Sequence, residues 1–356
     1  MNNQIQFPKS VDDVTADWLT QALASRYPGT RVARVVNSNV IWGTATKILL
    51  EVEYDQAPAE GGPGTKLCVK GELDERVREA MSSWESTPTQ LEVTFYDDLL
   101  PRLSVPVSPV YFGLTEPGVG GILIMDDLNE QSVRFGDPRT TWSVDEVASG
   151  LDTLAALHGS TWGKDFSDVP QIKVGSPTVR SAVAALFSEE SWESTMSAPT
   201  APPLPETFDR SRILRAYEAS FKYDDAADLS LVHGDAHLAN AFLTQKGEAI
   251  FLDWAGPCMA PWSFDVGYFV TSALDPEVRR ASARDLLDHY LAALARHGGP
   301  VLDREEAWVD FRRHQLHGVI WAMLPTTMHP TESVHAMTER YASAIEDYNT
   351  FELLEA

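Results

Sequence analysis

Leu231-Val-His233-Gly234-Asp235-Ala-His237-Leu-Ala-Asn240, followed by Ala249-Ile-Phe-Leu-Asp253-Trp254, is the stretch that organises the rest of the sequence. Each half starts with a short apolar run and ends on polar side chains. Runs this short, bounded by turn residues, predict buried strands. Asp235 and Asn240 stand five residues apart in the turn after the first run, and Asp253 follows Asn240 by thirteen at the end of the second. Around these runs the chain is predicted to be helical from about residue 128 onward. Ser143-Val-Asp-Glu146 is a capping box that opens a helix through Ala148, Leu151, Leu154, Ala155 and His158. Asp275-Pro276 starts another, which stops at His297-Gly298-Gly299-Pro300. Asp303 to Leu324 and Glu332 to Leu354 predict two final helices, and the Pro-rich Ser197 to Pro205 predicts a loop.

Before residue 128 the pattern changes. Val14, Trp18, Leu19, Ala22 and Leu23 fall at helical spacing within Val11 to Ala24. Arg31 to Val36, Ala45 to Tyr54 and Thr65 to Lys70 predict three strands of an antiparallel sheet, joined across Asn37 to Thr44 and by the Pro/Gly loop Gln56 to Gly64. Thr87-Pro88-Thr89-Gln90 is a second capping box with proline at the first helical position, and Leu91, Phe95 and Leu99 follow every four residues. Val107 to Leu114 and Gly121 to Met125 predict two more strands. No internal repeat is present. A chain of 356 residues exceeds the usual size of one core. The expectation is an α+β protein of two units, 1–127 and 128–356.

The formal net charge of −24 produces a surface that repels phosphates, so neither nucleic acid nor an anionic membrane is an expected partner. Cys68 and Cys258 are the two cysteines, far apart and in apolar surroundings, which excludes a disulfide framework and points to a reducing compartment. The start, Met1 to Pro8, lacks the basic and apolar regions of a signal peptide, and no run approaches the length of a membrane span. The expectation is a soluble cytoplasmic protein, monomer or homodimer.

Asp235, Asn240 and Asp253 are the residue types that phosphoryl transfer needs. That reaction asks for position and charge neutralisation more than covalent help. Magnesium prefers oxygen ligands and keeps several waters, so Asn240 and Asp253 suffice alongside phosphates. A carboxylate such as Asp235 can orient an acceptor hydroxyl and collect its proton late in the step. Lys70, at the end of the third strand, is the candidate phosphate-binding lysine. Glu92, on the capped helix, is its candidate partner, ahead of Glu79 and Glu85. Less ambitious roles suit the neighbours. His233 is expected to brace the loop, His237 to pack in it, and His314 and His317 to pack within a helix, since they lack zinc-motif spacing. Trp308, Phe311 and Trp321 are expected in the core, with an acceptor pocket as the second reading.

Taken in order, Lys70, Glu92, the His233-Gly234-Asp235 loop, Asn240 and Asp253 resemble the aminoglycoside phosphotransferase and choline kinase-like superfamily. Glu92-Val-Thr-Phe95-Tyr96, Asp253-Trp254 and Trp262-Ser-Phe-Asp265-Val-Gly-Tyr-Phe269 look most like its ecdysteroid-kinase-like branch and bacterial relatives. The resemblance runs from about Val11 to the C-terminal helices. It implies a bilobal protein-kinase-like fold, with a nucleotide-binding lobe over 1–127, a catalytic and substrate-binding lobe over 128–356, and ATP at their junction. It also implies that the backbone of Met125, Asp126 and Leu128 meets adenine, and that Asp265 is a buried brace. Two departures stand out. Between the first strands, Asn39-Val-Ile-Trp-Gly43-Thr44 offers Gly43 alone where a glycine-rich phosphate loop is usual, and Asp-Trp-Ala replaces Asp-Phe-Gly.

The expected activity is therefore ATP- and Mg2+-dependent transfer of a phosphoryl group to a hydroxyl of a small organic molecule, hydrophobic or steroid-like. The alternatives are a nucleotide-binding pseudokinase and a metal-dependent phosphohydrolase built on Asp235, His237 and Asp253. The acceptor pocket is expected from the segments after about residue 260 and the insert around Pro170 to Thr207.

Overall fold

A computed structural model describes residues 5–82, 84–326 and 328–356. The first four residues, part of the stretch scanned for a leader, lie outside it. The chain divides into two compact units, one of residues 1–102 and 107–133, the other of 103–106 and 134–356.

The first unit is an antiparallel sheet with helices on both faces. Its strands β1 (Arg31–Ile41), β2 (Thr46–Gln56), β3 (Lys66–Gly71), β4 (Val110–Glu116) and β5 (Gly120–Asp126) lie in the order β1-β2-β3-β5-β4. Strand alternation explains the two faces. Ile48, Leu50, Val52, Leu67, Val69, Ile122 and Ile124 share one core with Trp18, Leu19 and Leu23 of α1 (Ala16–Ala24). Lys70 and Glu72 project to the other face, where α2 (Glu75–Ala80) and α3 (Pro88–Thr94) follow. The capping box of α3 forms as expected, Thr87 and Gln90 each satisfying the other's backbone N–H.

Three expectations about this unit need correction. The first helix is interrupted: Val11–Asp13 is a 3-10 turn, and Thr15 caps a separate α1 by accepting the Trp18 N–H. Strand β1 does not stop at Val36 but runs to Ile41, because Asn37, Asn39 and Ile41 pair with Leu50, Leu49 and Lys47, a bulge absorbing the irregular register. Only 42–45 join it to β2. The fourth strand begins at Val110, not Val107.

In the second unit, Arg134–Phe135 forms a short β6 beside β8 (Ala241–Leu243), which pairs with β9 (Ala249–Phe251), while β7 (Ser230–Val232) pairs with β10 (Cys258–Ala260). Around them lie α4 (Val144–Thr161), α5 (Pro177–Leu186), α6 (Glu189–Met196), α7 (Arg210–Asp224), α8 (Ser263–Ala273), α9 (Pro276–Arg296), α10 (Arg304–Arg313), α11 (Thr331–Asp347) and α12 (Thr350–Glu355). Capping at Ser143 and Asp275 is as predicted. The two final helices are each broken. The first gives way to a 3-10 segment, His314–Met323, and the second turns at Asn349, whose φ is +50°. The 3-10 segment has two faces: Leu316, Val319 and Met323 pack with Val183 and Phe187 of the insert, whereas Trp321 packs with Tyr268 and Tyr341. Cys68 and Cys258 are both buried and unpaired. Among the described residues no helix is long and apolar enough to cross a membrane.

Candidate active site

Beyond Val232 the chain turns through His233, Gly234 and Asp235 over a buried carboxylate. Asp265 of α8 is fully buried; it accepts the His233 N–H at 2.6 Å on one oxygen and the Gly234 N–H at 3.0 Å on the other. His158 Nε2 lies 3.1 Å from the first of these, and Tyr290 OH lies 2.8 Å from His158 Nδ1. Burial alone would raise the Asp265 pKa, but His158 and the backbone donors outweigh it and hold the carboxyl below its ordinary value. Gly234 has φ +82°, and a Cβ there would stand 1.9 Å from the Gly256 carbonyl oxygen, so the turn admits only glycine. His233 uses both ring nitrogens: Nδ1 accepts the Asp235 N–H at 3.3 Å and Nε2 donates to the Leu252 carbonyl at 2.9 Å. Burial drives its pKa down. It is a neutral brace, as its sequence context suggested.

The β8–β9 hairpin brings Asn240 and Asp253 to one place. Ala241 pairs with Phe251, and the Leu252 N–H donates to the Asn240 carbonyl at 2.7 Å, so both residues emerge at the same end of the ribbon. Asn240 Nδ2 donates to the Asp235 carbonyl at 3.0 Å and to Asp235 Oδ2 at 2.9 Å. That commitment of the amide nitrogen leaves its Oδ1 as an oxygen ligand. Asp253 has φ +60°, a strained conformation for a residue with a side chain, of the sort that clusters at functional sites. An Asn carbonyl and a carboxylate at one ribbon end are a donor set that suits Mg2+, which takes its other ligands from water and phosphate.

Asp235 itself has a side chain 49% exposed. Its Oδ2 faces Asn240 and, at 3.6 Å, His237 Nε2; its Oδ1 takes no hydrogen bond among the described residues. His237 Nδ1 accepts the Ala239 N–H at 3.2 Å, which leaves Nε2 as the protonated nitrogen. The His237 ring stands edge-on to Trp321 at 5.2 Å and to Tyr268 at 5.6 Å, and Trp321 also meets His329 at 4.7 Å. His317 stacks on Tyr268 and meets Phe264 at a tilt, the ring centroids 4.1 Å away in both contacts. Burial pushes its pKa down to about 4 and also lowers that of His329. Trp321 is thus a core residue that also backs the histidine beside Asp235.

In the first unit, Lys70 Nζ and Glu92 Oε2 are 2.6 Å apart and both side chains are buried. Glu79 and Glu85 are exposed. Glu72, which the sequence did not single out, is fully buried and accepts the backbone N–H groups of Thr89 (3.0 Å) and Gly121 (2.8 Å). Its one signal in the sequence is an acidic residue two places past Lys70, just after the strand ends at Gly71. Met125 is still within the sheet, paired with Cys68, while Asp126 ends β5 with its carboxylate taken by Tyr111 OH (2.7 Å) and Gln131 Nε2 (2.8 Å). Asp127 caps the turn that begins at Leu128. What remains at 126–128 for a ligand is chiefly backbone. Gly43 lies exposed in the β1–β2 turn, where a Cβ would meet nothing closer than 3.6 Å, so the turn does not require glycine.

Among the described residues no group of three or more His, Cys, Asp and Glu side chains is placed to hold a metal, so Asp235, His237 and Asp253 do not form the cluster that the hydrolase alternative needs. Residues 77–308 match the family APH, described as phosphotransferase enzyme family. The structure is similar to that of LicA in complex with AMP (14% identity over 94% of this chain and 98% of that one, TM-score 0.50). Spectinomycin phosphotransferase in complex with ADP and spectinomycin gives 13% identity over 96% and 99% of the chains with TM-score 0.49. Macrolide 2′-phosphotransferase from Brachybacterium faecium gives 20% identity over 92% and 97% with TM-score 0.45. No curated protein matches the chain in sequence.

Proposed function

The chain belongs to the phosphotransferase enzyme family, and from that premise we propose that it is an ATP- and Mg2+-dependent kinase of a small hydroxylated molecule, with Asp235 as the acceptor-orienting carboxylate. The observation that carries this reading is the division of labour on Asp235: Oδ2 is tied to Asn240 while Oδ1 is open. An acceptor hydroxyl donates to Oδ1, is aimed at the γ-phosphorus of ATP, and passes its proton to Oδ1 as the new O–P bond forms and the bond from that phosphorus to the β–γ bridging oxygen breaks, so that ADP leaves. Asn240 Oδ1 and the Asp253 carboxylate are the residues that would hold Mg2+, which when bound neutralises phosphate charge. Lys70, steadied by Glu92, offers its ammonium to the nucleotide phosphates, and the backbone at Met125, Asp126 and Leu128 accommodates the base. Gly43 lies in a turn that plays the part of the phosphate loop. On this reading 1–127 bind nucleotide and 128–356 carry the catalytic groups.

The Trp321 and Tyr268 rings behind the histidine beside Asp235 favour a fairly apolar acceptor, since a polycation would call for further carboxylates there. That agrees with the resemblance to the ecdysteroid-kinase-like branch and with a steroid-like alcohol. A coupled ADP-release screen over sterols, amino alcohols, antibiotics and hydroxyacyl thioesters tests the proposal. Magnesium-dependent turnover that survives Asp235→Ala would remove the assigned role of Asp235. Tight ATP binding without transfer to any acceptor would favour a pseudokinase.

A further inference from the structure

The Glu72 carboxylate is fully buried and, among the described residues, has no cationic side chain on its oxygens, yet each oxygen has a backbone donor. Thr89, the donor to Oε1, is in the first turn of α3; Gly121, the donor to Oε2, is at the start of β5. The backbone closes in around this group. A Cβ on Gly120 would sit 2.7 Å from Glu72 Oε2, and one on Gly121 would sit 2.6 Å from the Gln90 nitrogen. Gly71 is equally tight, a Cβ there meeting the Gly121 carbonyl oxygen at 2.8 Å. Three chain segments converge on one carboxylate, and glycines make room for it.

The position of Glu72 relative to Lys70 gives this a purpose. Residues two apart on a strand share a face, and residues three apart on a helix share a side. Lys70 lies on β3 and Glu72 is the first residue beyond its end, while Thr89 and Glu92 are such a pair on α3. The end of this strand and the helix are therefore joined twice, by Lys70 to Glu92 and by Glu72 to Thr89. A buried carboxylate that accepts one N–H from the first turn of α3 and one from β5 is a strong anchor between them, since both hydrogen bonds are charge-assisted.

We propose that Glu72 is a positioning residue which fixes α3 in the place where Glu92 meets Lys70, so that the lysine is held ready for nucleotide phosphates. This rests on the functional reading above. The test uses the full chain with Glu72→Gln and the milder Glu72→Asp, which keeps the charge but shortens the reach. The readouts are the nucleotide KM and the acceptor KM, with hydrogen exchange over 88–99. The nucleotide KM should rise about tenfold or more, the acceptor KM should hold, and exchange should quicken in α3 ahead of the rest of the sheet. In a Glu92→Ala background, Glu72→Asp should add nothing further to the nucleotide effect. A folded Glu72 variant with wild-type nucleotide KM overturns the inference, as does full additivity with Glu92→Ala. A wild-type chain that binds no nucleotide overturns the functional reading itself, and this inference with it.

Discussion

The Lys70–Glu92 pair and the Asp235 loop place charged groups by opposite means. Lys70 and Glu92 stand 22 residues apart in the chain and meet as a buried ion pair. Asp235 and Asn240 come from one turn and stay half open to solvent, while the buried groups beneath them, His233, His158 and Asp265, do the holding. A buried pair is costly to break from one side, because the survivor keeps its charge away from water and loses a close opposite charge. An open carboxylate on a braced turn can be neutralised at little cost to the fold. The first region is therefore expected to fail in stability and binding, the second in turnover alone.

That contrast can be broken by experiment. Asp235→Asn should lower acceptor-dependent ADP release by about 10²- to 10⁴-fold with nucleotide binding and melting temperature nearly unchanged. A large loss of stability would show that the loop depends on its own carboxylate. Lys70→Met should destabilise by about 3–5 kcal/mol in urea unfolding. Adding Glu92→Leu should restore most of that without restoring nucleotide affinity; failure to recover would mean that the pair is more than a matched burial.

Acid sharpens the comparison from the other side. His233, His317 and His329 are held neutral by burial, whereas in the unfolded chain they take up protons near pH 6.5. The unfolded state binds more protons in that window, so stability should fall as pH drops from about 6.5 towards 4, by roughly 1 kcal/mol per pH unit for each fully shifted ring. His317→Phe, which keeps a ring against Tyr268 and Phe264 and removes a buried Nδ1 that has no hydrogen-bond partner among the described residues, should flatten this dependence. An unchanged pH profile would shift the acid sensitivity onto other groups. The smallest effect on stability is expected at Gly43→Ala, within ~0.5 kcal/mol in urea unfolding, because the turn has room for a methyl group.

The two regions also differ in how readable they were. The short strands before His233 and before Asp253 were legible as local apolar runs, whereas β8, which follows Asn240 and sets it beside Asp253 by pairing with β9, was not. The capping boxes at Thr87 and Ser143 were equally plain, since a cap is a contact across three residues. Glu92 was chosen over Glu79 and Glu85 from its place on the capped helix, and it is the carboxylate that reaches Lys70. Glu72 escaped notice because its partners lie 17 and 49 residues away and are backbone groups, which leave no mark in side-chain spelling. The break of the predicted helix over Asp303 to Leu324 was hidden for another reason. In a 3-10 segment the side chains repeat every three residues, and a pattern sought at 3.6 merges its two faces into one.

The hairpin that carries Asn240 and Asp253 has one more implication, for where the chain could be cut or lengthened. Both residues sit at its base, whereas its tip, where the Gly247 N–H donates to the Thr244 carbonyl, is exposed. The spacing of the two oxygen ligands is set by the pairing of Ala241 with Phe251 and not by the number of residues between them. Residues 245–247 are thus a natural point for an inserted tag, a fluorescent reporter or the new termini of a circularly permuted chain.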